Sequence, residues 1–251
     1  MGRSAALATF FAAVFAVGCT VNSSEEEVAR DPAQARRHMV QEQIRGRGVR
    51  DPRVLAAMEK VPRHELVPAD VRDAAYEDRP LPIGLGQTIS QPYVVAAMTE
   101  ALRLEGHEKV LEVGTGSGYQ AAVLAELCRE VFTIELEGAL AARARADLER
   151  LGVRNVSVRH GNGYRGWPEQ APFDAIVVTA APDHIPSALV DQLALGGRMV
   201  IPVGRAFQEL LLVTRTEDGI QREFLMGVRF VPMREEIDTE DAPPAPTGGG
   251  D

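Results

Sequence analysis

Short apolar runs and helical stripes alternate along the second half of this chain. Residues 110–113, 131–134, 156–158, 175–179 and 199–203 are compact apolar runs of strand length. Between them, residues 119–128, 138–151 and 186–193 carry apolar side chains at helical spacing, the second with arginines on its outer side. Strands that are apolar throughout are buried on both faces, so the alternation predicts a mostly parallel sheet covered by helices on both sides. After Gly204 the rhythm changes. Residues 210–214 and 224–230 flank a turn at Asp218-Gly219 and predict an antiparallel hairpin at the end of the sheet.

Ahead of Lys109 the pattern is helical and broken by prolines. Asp31-Pro32 reads as an N-cap with proline in the first turn, opening a helix to about residue 45. Asp51-Pro52 repeats the signal, with Val54, Leu55, Met58 and Val61 on one face. Pro62, Pro68, Pro80 and Pro82 make residues 62–90 loops and short elements. Pro92 opens a further helix, with Val95, Met98 and Leu102 in line. The organisation that follows is a leader and acidic tether at 1–30, one α/β domain at 31–237, and a tail at 238–251 rich in proline and glycine. Within the domain, residues 31–105 form a helical and loop part. Residues 106–237 form a doubly wound, mostly parallel core with its hairpin.

Length and composition sharpen this only a little. A chain of 251 residues with 45% hydrophobic content holds one such domain with a sizeable core. The formal net charge of −9 argues against a nucleic-acid partner, which demands a basic face. Cys128 lies in an apolar helical run and reads as a buried core thiol. The N-terminus is different in kind. Arg3, an apolar run over 5–17 and Ala16-Val17-Gly18-Cys19 describe a secretory signal too short to span a bilayer. The segment resembles a bacterial lipobox, with Ala16 where leucine is usual. Membrane contact is expected only if Cys19 is lipidated. The cytoplasm is the expected place of work, with envelope anchoring through Cys19 as the alternative.

The chemistry centres on Val110-Leu111-Glu112-Val113-Gly114-Thr115-Gly116-Ser117-Gly118-Tyr119. A glycine-rich turn between the first parallel strand and the next helix lets a ligand approach the backbone closely. Glu135 closes the second strand about twenty residues on, where a carboxylate accepts the hydroxyls of a ribose. The dinucleotide pattern wants a glycine where Tyr119 stands, and Glu112 would set a negative charge near a pyrophosphate. S-adenosylmethionine has no phosphate and carries a sulfonium and an ammonium, so it fits better than NAD. Gly114, Thr115, Gly116, Ser117, Gly118 and Glu135 are the expected cofactor residues. Gly161 and Asn162, at the end of the third strand in Gly161-Asn162-Gly163-Tyr164, are expected beside the adenine, though a plain turn asparagine is the alternative. No metal is expected. After the fourth strand, Thr179-Ala180-Ala181-Pro182 lacks the Asn-Pro-Pro-Tyr type of segment found in amino-methylating enzymes. That favours an oxygen acceptor.

With these residues in hand, the chain resembles protein-L-isoaspartate O-methyltransferases of bacterial type from about Val40 to Met233. The resemblance is carried by Val61-Pro62-Arg63-His64, Leu81-Pro82-Ile83-Gly84, Gly86-Gln87-Thr88-Ile89-Ser90-Gln91-Pro92-Tyr93 and Val228-Arg229-Phe230-Val231-Pro232. Arg159-His160-Gly161-Asn162-Gly163-Tyr164 also matches, except that aspartate is usual in place of Asn162. The resemblance implies a Rossmann-like methyltransferase fold and S-adenosylmethionine as donor. It implies damaged proteins or peptides with isoaspartyl or D-aspartyl residues as substrate, and a monomer. Ser90 carries over as the active-site residue, with Thr88 and Ile89 beside it in substrate binding. A peptide α-carboxylate ionises near ~3.5, so the acceptor is already a nucleophile at neutral pH and needs no general base. Ser90 as an N-cap for the helix at Pro92 is the plainer reading of that residue. His64 and His160 are expected to be structural. The rival functions are methyl transfer to a small acid or hydroxyl, and an envelope-anchored protein that binds ligand without turnover.

Overall fold

The computed structural model describes residues 31–235. The expected leader, Cys19 and the tail at 238–251 lie outside the described residues. The first helix is shorter than its sequence pattern. Asp31 accepts from the Ala33 N–H and caps α1, Pro32–His38, and the chain then widens into a π-type turn, Met39–Ile44. That wider turn gathers Met39, Val40 and Ile44 onto one buried face, which regular helical spacing would spread further apart. A 3-10 turn at Arg45–Arg47 ends it, with Gly48 left-handed at φ 112°. Asp51 caps α2, Pro52–Lys60, through the N–H groups of Arg53 and Val54, and Val54, Leu55 and Met58 are buried as their spacing requires.

The proline-punctuated stretch holds a small antiparallel hairpin, β1 (Leu81–Gly84) and β2 (Gln87–Ile89). Its tip, Leu85, is half-exposed with φ 52°. Then α3, Pro92–Leu102, leads into the core.

The core is β3 (Lys109–Val113), α4 (Tyr119–Ala125), β4 (Glu130–Glu135), α5 (Gly138–Arg150), β5 (Val156–His160), β6 (Phe173–Val178), α6 (Ser187–Gln192) and β7 (Leu193–Val203). The hairpin β8 (Gln208–Thr216) and β9 (Gly219–Val228) follows. The strands lie in the order β5-β4-β3-β6-β7-β8-β9, parallel through β7 and antiparallel beyond it. The chain enters at β3, steps outward to β5 and returns to β6 on β3's other side. This reversal opens a crevice at the carboxyl ends of β3 and β6, where open α/β sheets bind ligands.

Alternation along β3 splits the core. Val110 faces a cluster with Met39, Met58, Met98 and Leu124, so the 31–105 part and the sheet share one buried interior. Leu111 and Val113 face a second cluster with Phe132, Ile176, Leu189 and Met199. Three predicted boundaries shift. Helix α4 ends at Ala125, short of Cys128, although that thiol is buried as expected and burial pushes it up to about 12. The β7 strand begins at Leu193 and takes over the end of the expected helix at 186–193. Strand β9 stops at Val228, so residues 229–235 leave the sheet and form a strap.

The strap is pinned at four places. The Ala181 N–H donates to the Val231 carbonyl and the Met233 N–H to the Ala181 carbonyl, both at 2.8 Å. The Gln208 side chain clamps Phe230, accepting from its N–H at 2.6 Å and donating to its carbonyl at 3.0 Å. Arg234 reaches Glu137 at 2.5 Å. Among the described residues no helix is long and apolar enough to cross a membrane. Replacing Gln208 by Ala leaves two peptide groups of Phe230 without that partner. It is expected to cost about 1–3 kcal/mol in chemical denaturation and to speed amide exchange at 230–234 ahead of the sheet. Unchanged exchange there would show that Gln208 does not hold the strap.

Candidate active site

The turn after β3 is built against β4. The Gly114 and Thr115 N–H groups both donate to the Ile134 carbonyl, at 2.8 and 3.2 Å. The Gly116 N–H donates to Glu135 Oε2 at 2.7 Å, and the Glu137 N–H to Glu135 Oε1 at 3.0 Å. One carboxylate thus holds two successive turns, and it retains acceptor capacity for a further donor. Two of the glycines do different work. Gly114 has φ +100°, and a Cβ there would lie 2.3 Å from the Thr179 hydroxyl. That hydroxyl sits against the Val113 and Gly114 carbonyls at 3.1 and 2.6 Å, locking the end of β6 to the end of β3. Gly116 has φ +53°, and a Cβ there would meet only Ile83 Cδ1 at 3.5 Å, because this residue borders open cavity.

Below the turn runs a buried polar chain. The Thr115 and Thr133 hydroxyls meet at 2.7 Å, and Thr133 bonds Glu112 Oε2 at 2.5 Å. Glu112 is fully buried, its Oε1 has no partner, and it borders the same cavity. Burial pushes its carboxyl up to about 8, and the neighbouring Glu135 adds to the effect. At neutral pH burial therefore favours the protonated carboxyl over the negative charge anticipated at Glu112. Desolvation outweighs it, and the group keeps its proton. Glu135 is also raised by burial, against the backbone N–H groups of Glu137, Gly116 and Leu136.

The cavity is walled by the turn, Glu135 and Leu136, by Thr179 and Ala180 after β6, by residues 87–90 of the β1–β2 hairpin and by residues 231–234 of the strap. Gly114, Thr115, Gly116, Ser117, Glu135, Thr88, Ile89 and Ser90 all border it. Gly118, Gly161 and Asn162 stand outside that wall. Gly118 faces Leu148 on α5, where a Cβ would come within 3.3 Å. The Asn162 side-chain oxygen accepts from the Tyr164 N–H at 2.8 Å and caps a short 3-10 turn, Gly163–Arg165. Its oxygen thus makes the bond of the plain turn reading and keeps a second lone pair. Sequence reasoning did not assign Thr179, Leu136 or the strap to the site. The quoted 228–232 segment was the available signal for the strap, but nothing in its spacing says where it folds.

Ser90 does not cap the helix at Pro92. Gln91 occupies the N-cap position without a side-chain capping bond, its amide donating instead to the Asp78 carbonyl at 3.0 Å. The Ser90 and Thr88 hydroxyls make no hydrogen bond among the described residues. Together with Thr179 and Val231 they border both this inner cavity and a wider outer groove of about 670 Å³. His64 bonds the Tyr76 hydroxyl at 2.7 Å and His160 the Leu136 carbonyl at 2.9 Å. Neither borders the cavity. Among the described residues no cluster of His, Cys, Asp or Glu is placed to hold a metal ion.

Two outcomes follow. Gly114→Ala is expected to lose about 1–3 kcal/mol through the Thr179 clash plus about 1–2 for the left-handed backbone, whereas Gly116→Ala bears only the backbone cost. Calorimetry on the folded Gly116→Ala protein should show S-adenosylmethionine affinity reduced more than tenfold. Wild-type affinity would place the donor elsewhere. For Glu112, the unfolded carboxyl ionises near its ordinary 4.5 while the folded one holds its proton to about 8. The folded state binds more protons across that window, so stability falls as pH rises through it. The slope is at most about 1.4 kcal/mol per pH unit. Glu112→Gln should remove this contribution, and its melting temperature should gain on wild type more at pH 8 than at pH 5. Parallel melting curves would refute the buried proton.

The match to known proteins covers nearly all of the described chain. Residues 34–238 match the family described as protein-L-isoaspartate(D-aspartate) O-methyltransferase. A protein-L-isoaspartate O-methyltransferase of Synechococcus sp. is 58% identical over 214 residues, 82% of this chain and 88% of the relative. One from Gloeobacter violaceus is 58% identical over 200 residues, 79% of this chain and 98% of the relative. Among solved structures, a protein-L-isoaspartate O-methyltransferase superposes with a TM-score of 0.71 at 30% identity, over 78% of this chain and 65% of that one. A Plasmodium falciparum chain described as such an enzyme, in complex with S-adenosyl-L-homocysteine, gives 0.70 at 26% identity, over 80% of this chain and 99% of that one. Sequence, topology and the placing of the glycine turn agree, and the chain belongs to the protein-L-isoaspartate(D-aspartate) O-methyltransferase family.

Proposed function

We propose that this protein transfers the methyl group of S-adenosylmethionine to the free carboxylate of L-isoaspartyl and D-aspartyl residues in damaged proteins. The observation that carries the reading is the junction of the two cavities. The Ser90 and Thr88 hydroxyls, without a partner among the described residues, stand where the inner cavity opens onto the larger outer groove. A small acid would need no such groove.

The residues of the inner cavity suit the donor. Glu135 has lone pairs left for ribose hydroxyls, Gly116 leaves its side open, and the orphaned Glu112 Oε1 suits an ammonium group. S-adenosylmethionine supplies an electrophilic methyl group on a sulfonium. Everything else falls to the chain. Ser90 and Thr88 donate hydroxyl hydrogens to the substrate carboxylate and fix which oxygen points inward. The hairpin on one side and the strap on the other keep water out. No residue has to take a proton, because the carboxylate arrives ionised. The substrate oxygen gains the methyl group as the methyl–sulfur bond breaks, and the neutral thioether S-adenosylhomocysteine leaves. The following peptide nitrogen then attacks the ester carbonyl, expels methanol and closes a succinimide, whose hydrolysis returns part of the material to aspartate.

Since Ser90 orients a charged nucleophile, Ser90→Ala is expected to lower kcat about ten- to a hundredfold, the worth of one hydrogen bond to a charged group. Affinity for S-adenosylmethionine should change much less. Initial rates on an isoaspartyl peptide and its aspartyl twin, with donor saturating, make the comparison. Turnover should be confined to the isoaspartyl peptide and nearly flat from about pH 6 to 8. Equal rates on the twins would remove the substrate assignment, and a steep rise near pH 6.5 would bring a histidine into the mechanism.

A further inference from the structure

The outer groove has two unlike walls. On one side the Arg47 guanidinium lies 3.7 Å over the centre of the Tyr93 ring and is bonded to Asp78 at 2.6 Å. That arrangement is flat, held at both ends and largely neutralised. On the other side stand Phe207, from the loop between β7 and β8, and Phe224, Met226 and Phe230 from β9 and the strap. Phe207 is 92% exposed and Phe224 59% exposed, and neither belongs to either buried cluster. Exposed phenyl rings flanking one concavity are a feature that folding alone does not explain, since each gives up the gain from burial. The charges among the lining residues also balance, Arg47 and Arg229 against Glu209 with Asp78 behind Arg47. This groove is therefore built to select by apolar contact rather than by charge.

We propose that Phe207 and Phe224 form a subsite for an apolar or aromatic side chain flanking the isoaspartyl residue. The occupant is the substrate polypeptide itself, because the groove is continuous with the junction at Thr88, Ser90, Thr179 and Val231 where the acceptor carboxylate enters. An extended peptide held by its carboxylate at Ser90 lays its neighbouring residues along this groove. The side chain there closes over the two rings and leaves water. The inference rests on the isoaspartyl reading of the inner site. It adds a preference: among equally damaged sequences, those with apolar neighbours are repaired first.

The test is a set of isoaspartyl peptides alike except for the residues on either side of the isoaspartate, carrying Ser, Glu, Lys, Leu or Phe in turn. The wild-type protein is expected to show kcat/KM roughly five- to thirtyfold higher for Leu or Phe than for Ser at one of these flanks, chiefly through KM. Glu and Lys should rank close to Ser. The Phe207→Ala, Phe224→Ala double variant changes only exposed side chains, and a melting curve checks its fold. Its preference ratio should fall to about one, and Phe207→Leu should retain most of it. Equal kcat/KM across the set in wild type, or an undiminished preference in the double variant, would overturn the subsite while leaving the proposed activity standing. Failure of every isoaspartyl peptide to react would instead bring down the proposed function and the subsite with it.

Discussion

The bond from the Gly116 N–H to Glu135 is the constraint on which this site depends. A glycine-rich turn left to itself has many conformations, and the loss of that freedom has to be offset by something local. Here a single buried carboxylate does so, taking the Gly116 N–H on one oxygen and the Glu137 N–H on the other. The ends of β3 and β4 are thereby fixed together, and the space above them stays open for a ligand. The carboxylate is costly to bury, as its raised pKa records, and the backbone donors offset part of that cost. Thr179 adds the third strand end by closing on the Gly114 carbonyl.

Around this fixed floor the walls come from opposite ends of the chain. Residues 87–90 belong to a hairpin that precedes the sheet, and residues 231–234 to a strap that follows it. Neither would keep its place alone. The hairpin is anchored because Leu81, Ile83 and Ile89 are buried in the same interior as α2 and α3. The strap is anchored by Ala181, Gln208 and the Arg234–Glu137 pair. The N-terminal part therefore does more than decorate the sheet: it places Thr88 and Ser90 at the mouth of the inner cavity.

Much of this was legible in the residues. The five parallel strands announce themselves as short apolar runs, and the turn with Glu135 can be read from glycine spacing and one acidic residue. Asp31 and Asp51 were visible as caps because proline follows each. The protonation of Glu112 was not legible, because a strand position shows only that a carboxyl is present and not that it lies in a dry interior beside a second carboxyl. The strap was not legible either. Its position rests on contacts with residues 22 to 97 positions away, and local spacing carries no such information. The π-type turn at Met39–Ile44 escaped for a related reason, since the tertiary need to bury three side chains overrode regular helix geometry. Asn162 shows the reverse case. Its type allowed two roles, and its oxygen accepts from its own turn while keeping a second lone pair.

In the proposed reaction a carboxylate oxygen of an isoaspartyl residue receives the methyl group. The direct measurement is the fate of that methyl after the protein has acted on an isoaspartyl peptide with methyl-labelled S-adenosylmethionine. A methyl ester next to a peptide nitrogen collapses in mild base. Nearly all incorporated label is therefore expected to leave as methanol when the pH is raised, while the peptide passes through its succinimide to aspartyl and isoaspartyl forms. Label that survives base, bound to nitrogen or to an alcohol oxygen, would contradict the proposed reaction.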